Sequence, residues 1–297
     1  MAAQQTLNVS HLGGITAGYT LSNNHYDPSK PTCLLINSMC TTSSLYKAQF
    51  EDSTLTDVMN LLAIEPLGHG ATSCKTEHFT YWDSAIMALQ VLDGLGIEKA
   101  FALGTSQGGW IVMRVAVLAP ERILGVMPLG TSMDYESSDS RSKGCWDPAP
   151  GLTPFIEKWT SATETPDFVV DDVWCGMVGG IGFGASATPE MGAFWMKTLK
   201  EVYRGDEGRK KARMAVICLL SRDSLLLRLG DVKCPVHWLQ GTADVPYGTT
   251  VQHEQIKLFT SSQDAKVTMV EGGAHYLNAT NPTEINAALL EMVTKYK

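Results

Sequence analysis

The chain has 297 residues, 44% of them apolar and 18% charged, a globular composition that excludes a disordered, fibrous or disulfide-built protein. Thirty-one acidic against 23 basic side chains leave a formal charge of −8, which argues against nucleic acid as a partner. The opening MAAQQTLNVSHLGGITAGYT lacks the basic start and apolar run of a signal peptide, and no long uninterrupted apolar stretch follows, so the reading is a cytoplasmic protein with no membrane span.

From Thr6 to Leu21 two short strand-like runs flank Gly13-Gly14, and a polar turn leads into Thr32-Cys33-Leu34-Leu35-Ile36, an apolar run of buried-strand length. A second such run, Leu61-Leu62-Ala63-Ile64, ends at Glu65-Pro66, and a third, Ala100-Phe101-Ala102-Leu103, ends at Gly104. Between these two, Trp82, Ala85, Ile86, Leu89, Leu92 and Leu95 recur at steps of three and four, the spacing of a helix packed on a sheet. Trp110 to Leu118 reads as another helix, stopped before Pro120, and Ile123 to Met127 as a further strand. The alternation predicts an α/β fold with a mostly parallel central sheet covered by helices on both faces.

After Met133 the strand and helix alternation lapses. Asp134 to Ser140 reads as a polar linker, and residues 139–227 as an insertion between two parts of one core, residues 1–138 and 228–297. Strand signals resume at Val236-His237-Trp238-Leu239 and Lys266-Val267-Thr268-Met269-Val270, and a closing helix runs from Pro282 to Tyr296. Seven cysteines stand singly, at Cys33, Cys40, Cys74, Cys145, Cys175, Cys218 and Cys234. Their spacing suits reduced, mostly buried thiols and no metal site.

Gly104-Thr105-Ser106-Gln107-Gly108 sets a serine between a buried strand and a helix start. That context makes Gly-x-Ser-x-Gly a nucleophile elbow, in which small neighbours let strand and helix approach closely while the hydroxyl projects. A serine hydroxyl needs a base, and the base needs a third group to hold its tautomer. Asp244 and His275 follow the last two strands in that order, each on a loop beyond a strand end, where an open parallel sheet places its sites. Asp244 also has a simpler reading as a turn residue before Pro246. His69, His237 and His253 match no catalytic position, and His69 reads as a structural residue of its Gly-His-Gly turn.

Together the elbow at Ser106, the segment Glu65-Pro66-Leu67-Gly68-His69-Gly70, the acid loop at Asp244 and the loop Gly273-Ala274-His275 resemble the α/β-hydrolase fold superfamily, in the serine branch with a helical cap inserted after strand six. The resemblance covers nearly the whole chain apart from the insertion. It implies Ser106 as nucleophile, His275 as general base and acid, and Asp244 as the orienting carboxylate, with Asp134 the alternative acid used by some relatives. It also implies backbone N–H donors for the oxyanion at Gln107 and at Met39, although relatives usually carry His-Gly where this chain has Asn37-Ser38-Met39-Cys40. Cys40 has no elbow of its own and reads as a buried hydrophobe.

The insertion holds four of the seven tryptophans, with Phe155, Phe168, Phe183 and Phe194. Many belong to its own core, while Trp146, Trp174, Phe183 and Trp195 are candidates to line a substrate pocket. Gly180-Ile181-Gly182-Phe183-Gly184-Ala185 fits the letters of a dinucleotide fingerprint but not its strand context, so a flexible loop is expected, with motion along 176–184 admitting substrate. The function expected is cofactor-free hydrolysis of a mid-sized hydrophobic or aromatic ester or lactone, a small-molecule substrate. Carbon–carbon bond hydrolysis, perhydrolysis and a ligand-binding receptor are the alternatives, and homo-oligomerisation is left open. An epoxide hydrolase or haloalkane dehalogenase would need an Asp where Ser106 stands.

Overall fold

A computed structural model describes residues 3–297; Met1 and Ala2, part of the stretch read for a leader, lie outside the described residues. The sheet contains β1 (Gln4–Val9), β2 (Ile15–Leu21), β3 (Thr32–Ile36), β4 (Asn60–Ile64), the short β5 (Ser73–Cys74), β6 (Ala100–Thr105), β7 (Ile123–Leu129), β8 (Val236–Gly241) and β9 (Ala265–Val270). Its order is β1-β2-β4-β3-β6-β7-β8-β9, with β5 paired to β2. The six strands from β4 to β9 along that order run parallel, and only the hairpin β1–β2 and the pairs β2 makes with β4 and β5 are antiparallel.

The unbroken apolar runs are explained by burial on both faces. Leu34, Ile36, Leu62, Ile64, Ala100 and Ala102 face the helices Tyr81–Gly94 and Gln107–Leu118. Their alternating neighbours Cys33, Leu35, Leu61, Ala63, Phe101 and Leu103 face the closing helix Pro282–Tyr296. The Tyr81–Gly94 helix opens on a capping box, in which Thr80 accepts from the Asp83 N–H while the Asp83 carboxylate accepts from the Thr80 N–H. Connections leave the neighbouring strands β3 and β6 in opposite directions, from β3 to β4 on one side and from β6 to β7 on the other, so the loops after β3 and β6 face each other across a topological switch point.

Between β7 and β8 the named elements are all helical: Ser138–Ser142, Ala149–Lys158, Asp172–Phe183, Pro189–Val202 and Gly205–Leu220, with short 3-10 turns. Their core is aromatic, with Trp159 and Trp174 edge to face at 4.8 Å and Phe155 against both. Asp134 to Ser140 is not the free polar linker expected from its composition: Asp134 and Ser140 are buried, and the Asp134 carboxylate accepts from the Ser137 and Ser140 hydroxyls at 2.6 and 2.7 Å.

A second correction concerns the glycine-rich stretch, which is the second half of the Asp172–Phe183 helix rather than a flexible loop. Asp171 caps it by accepting from the Trp174 N–H at 2.8 Å. Buried Trp174, Val178 and Gly182 recur every four residues, and this apolar face outweighs the propensity cost of the glycines. Gly182 is required, since a Cβ there would sit 2.0 Å from the Tyr276 ring, whereas Gly176, Gly179 and Gly180 border open space.

Two glycine substitutions should therefore move stability in opposite directions. Gly108→Ala places a Cβ 1.9 Å from the Ile36 carbonyl oxygen, and stability should fall as for an overpacked core, by about 3 kcal/mol or more, with a lower melting temperature. Gly179→Ala meets nothing and should raise stability by roughly 0.5–1 kcal/mol. Thermal unfolding of the two variants against the parent checks both.

Candidate active site

Ser106 is the residue between β6 and the Gln107–Leu118 helix, and its backbone stands at φ 56°, ψ −120°. A conformation this sparsely populated costs about 1–3 kcal/mol and persists only where its surroundings over-determine it. Here they do: the Ser106 N–H donates to the Leu129 carbonyl at 2.8 Å, and its own carbonyl accepts from the Gly109 N–H at 2.8 Å. A Cβ on Gly104 would lie 2.1 Å from the Gly108 carbonyl oxygen. Both flanking glycines of the motif are thus fixed by backbone contact.

Asp244 and His275 are brought together from the ends of β8 and β9. A Cβ on Gly241, at the end of β8, would meet the Gly273 carbonyl oxygen at 2.1 Å, so the two loops touch backbone to backbone. Asp244 Oδ2 accepts from His275 Nδ1 at 2.9 Å, and its Oδ1 accepts from the Tyr247 N–H at 3.0 Å. With Nδ1 donating to the carboxylate, Nε2 is left bare as a base. Asp134, engaged with two serines, is not the partner of the imidazole. Gly130, which the sequence reading passed over, closes this corner: at φ 52° its Cβ would lie 2.6 Å from the His275 carbonyl oxygen and 2.9 Å from Asp244 Oδ2. A glycine directly after β7 was its only signal.

The loop after β3 is held by Asn37, whose amide donates to the Ser38 and Thr41 carbonyls at 3.1 and 2.9 Å. Cys40 in this loop takes φ 55° and is fully buried. Among the described residues no protein group accepts from the backbone N–H of Met39 or of Gln107. Both residues are buried, Met39 on the wall of the cavity that holds Ser106 and Gln107 directly after the serine.

That cavity has Ser106 and His275 on its floor and Trp146, Met177, Ile181 and Tyr276 among its walls. Its volume is about 20 Å³, room for about one water. Trp146 is fixed by donating Nε1–H to Glu136 at 3.2 Å, and Glu136 in turn pairs with buried Arg222. The other pocket candidates lie elsewhere. Trp174 is in the core of the helical insertion, and Phe183 and Trp195 line a separate apolar groove of about 390 Å³ together with Leu45 and Phe194. Met177, Val178 and Ile181 reach the cavity because they sit on one face of the helix that the glycines disguised.

The description "alpha/beta hydrolase fold" belongs to the family model that matches residues 32–143. A thermophilic esterase from Thermogutta terrifontis superposes with a TM-score of 0.77 at 15% identity, over 98% of this chain and 99% of that one. The chain has the α/β-hydrolase fold. Other solved structures that share it include an enol-lactonase from Burkholderia xenovorans, with a TM-score of 0.72 at 18% identity over 98% and 99% of the two chains. A bromoperoxidase from Bacillus anthracis reaches 0.77 at 18% identity over 98% and 100%. Among curated sequences, 77 residues are 34% identical to the dihydrolipoyllysine-residue acetyltransferase component of an acetoin cleaving system from Cupriavidus necator. That match covers 26% of this chain and spans about a fifth, 21%, of the relative's length.

Within this α/β-hydrolase fold the remaining reactive groups are subdued. Among the described residues no group of three or more His, Cys, Asp or Glu could hold a metal ion, and no helix is long and apolar enough to cross a membrane. All seven cysteines are free, and every one except half-buried Cys74 is buried. Burial pushes the Cys40 thiol up to about 12, and those of Cys145, Cys218 and Cys234 likewise, so none offers a thiolate near neutrality. Iodoacetamide at pH 8 should add at most one label to the native protein, on Cys74, and seven after denaturation, as read by intact mass. A label on Cys40 in the native state would contradict this picture.

Burial also pulls the imidazoles of His69 and His237 down to about 4. Unfolding returns both to the ordinary value of about 6.5. Between those limits the unfolded chain binds protons that the folded chain refuses, so stability is lost as pH falls from about 6.5 towards 4. The melting temperature should drop across that window, and His237→Gln should flatten the drop; an unchanged slope would show that His237 does not contribute.

Proposed function

We propose that this protein is a serine hydrolase of a mid-sized hydrophobic or aromatic carboxylic ester or lactone. The observation that carries the proposal is the Asp244–His275 hydrogen bond, which leaves the imidazole Nε2 bare beside a small cavity that Ser106, on its strained turn, also lines. In the proposed reaction Ser106 Oγ attacks the carbonyl carbon while His275 Nε2 takes the hydroxyl proton. The oxygen, now negative, is held by the N–H groups of Met39 and Gln107. His275 then passes the proton to the departing alkoxide, and the acyl-serine remains. Water, deprotonated by the same imidazole, cleaves the acyl-serine and restores the enzyme, with Asp244 stabilising each imidazolium. The chemistry needs no cofactor.

The walls supplied by Trp146, Met177, Val178 and Ile181 are apolar, which supports a hydrophobic substrate. Residues 139–227 act in this reading as the cap. A cavity with room for about one water cannot admit an ester, so the cap opens, and the helix Asp172–Phe183 is the part weakened for it by Gly176, Gly179 and Gly180. Esterase and lactonase neighbours of the same fold are consistent with this chemistry.

A fluorophosphonate probe should add one label to the native protein and none to Ser106→Ala, by intact mass. Asp244→Asn should lower kcat by about 10⁴, while Asp134→Asn should leave the turnover of folded protein near the parent's. Phenyl and naphthyl esters should outrun acetates, with acid and alcohol as the products by mass. Equal rates on short and bulky aromatic esters, or a folded protein that resists the probe, would sink the proposal.

A further inference from the structure

The Gly-His-Gly turn after β4 does more than reverse the chain. His69 is 1% exposed, its N–H donates to the Pro66 carbonyl at 3.0 Å and its carbonyl accepts from the Thr72 N–H at 3.0 Å. Its ring touches two groups that fix its tautomer. Nδ1 lies 2.9 Å from the Leu67 carbonyl oxygen, which can only accept, so Nδ1 carries the hydrogen. Nε2 is therefore a bare acceptor, and it lies 2.9 Å from Nε2 of Gln107, which must donate. The second hydrogen of that amide reaches the Asn37 carbonyl at 3.4 Å.

One side-chain amide thus ties together three loops: the turn after β4, the elbow after β6 and the loop after β3. The orientation is unique. Turning the amide over would set its oxygen against a lone pair on His69 and leave the Asn37 carbonyl without its donor. A doubly protonated imidazole would set N–H against N–H, and burial keeps the ring neutral well below physiological pH. The turn itself is pinned on either side of His69, since Tyr203 Oη donates to the Gly68 carbonyl at 3.1 Å and Lys211 Nζ to the Gly70 carbonyl at 3.2 Å.

We propose that His69 is a positioning residue of the hydrolytic site: as a neutral acceptor it locks the Gln107 amide across to Asn37 and so sets the spacing of the Gln107 and Met39 N–H groups. The inference rests on the serine-hydrolase reading. His69 touches no substrate. Its effect falls on the transition state, because the N–H groups it spaces are used fully only when the carbonyl oxygen becomes negative.

Two substitutions separate the brace from the turn. His69→Asn keeps a donor near Nδ1 for the Leu67 carbonyl and loses the acceptor at Nε2; His69→Gln keeps an acceptor near Nε2 and loses the donor. Steady-state kinetics on 4-nitrophenyl butyrate would be normalised to fluorophosphonate-labelled serine. His69→Asn should lower kcat about tenfold, less than the ~10²–10³ of losing a donor outright, with KM moving less than about threefold. His69→Gln should recover most of that loss although both variants give up one buried hydrogen bond and should melt lower by similar amounts. Adding His69→Asn to Gln107→Met should cost nothing beyond Gln107→Met alone. Parent-like kcat in His69→Asn, failure of His69→Gln to recover, or additive losses in the double variant would each overturn the proposal. Should His69→Asn fail to fold, Gln107→Met must itself lose kcat at constant KM, and a parent-like rate there overturns it. Absence of labelling in the parent removes the hydrolase reading and this inference with it, whereas labelling with parent-like His69→Asn kinetics removes this inference alone.

Discussion

The site depends first on how closely backbone passes backbone at the C-terminal edge of the sheet. At the end of β6 the Gly108 peptide lies against the Ile36 carbonyl of β3, and Gly104 lies against the Gly108 carbonyl, each too close for a Cβ. These contacts leave no room for an ordinary strand-to-helix turn, so the chain turns at Ser106 with φ 56°. The strain is sustained because β3 and β6 are buried on both faces and cannot shift to relieve it. The same device recurs at the ends of β8 and β9, where Gly241 meets the Gly273 carbonyl and brings Asp244 within hydrogen-bond distance of His275. Three backbone contacts, more than side-chain packing, decide where all three side chains can be.

The helical insertion is attached to this edge by buried charge. Glu136 lies at its entry and Arg222 at its exit, and the two pair in the interior, with the Arg222 guanidinium 4.6 Å over the ring of Trp110 on the helix behind Ser106. Arg114, buried on that same helix, pairs at 2.5 Å with the half-exposed carboxylate of Asp223, to which Trp82 also donates. Buried ion pairs add little net stability compared with an apolar contact, but breaking one is costly, so their value lies in specifying an arrangement. Here the buried Glu136–Arg222 pair, with the half-exposed Arg114–Asp223 pair beside it, holds both stems of the insertion against the helix that follows Ser106, and Glu136 also holds Trp146 in the cavity wall.

Much of this was legible because the signals were local. Ser106, Asp244 and His275 each follow an apolar run of strand length, and the strand ends place them without any knowledge of packing. The sheet and its flanking helices follow from period. What escaped the sequence was set by contacts between distant segments. The glycines of 176–184 suggested a loop because their propensity is visible, while the Tyr276 ring that requires Gly182 is ninety-odd residues away. Trp174, Phe183 and Trp195 could be assigned to a pocket by size alone, yet which aromatic faces the serine depends on how helices stack. Asp134 was the alternative acid by resemblance to some relatives, and its carboxylate is instead engaged by the Ser137 and Ser140 hydroxyls. His69 offered a sensible structural reading that was incomplete, since nothing in its neighbourhood in sequence points to Gln107.

The two halves of the cavity differ in their capacity to move, and this constrains how a substrate would lie. The floor is built from Ser106, His275 and loops locked by the glycine contacts and the Gln107 amide, so it cannot yield without breaking buried hydrogen bonds. The roof is a helix with glycine at 176, 179 and 180, packed through Trp174, Val178 and Gly182 but open on its other side. A pocket for a drug-sized ligand needs about 300–1,000 Å³, far more than the about 20 Å³ present. That volume must come from the roof. In the proposed reaction a reacting carbonyl would be held to the geometry of the floor while the apolar remainder of the molecule displaces Met177 and Ile181, which would leave chemistry to the core and substrate choice to residues 139–227.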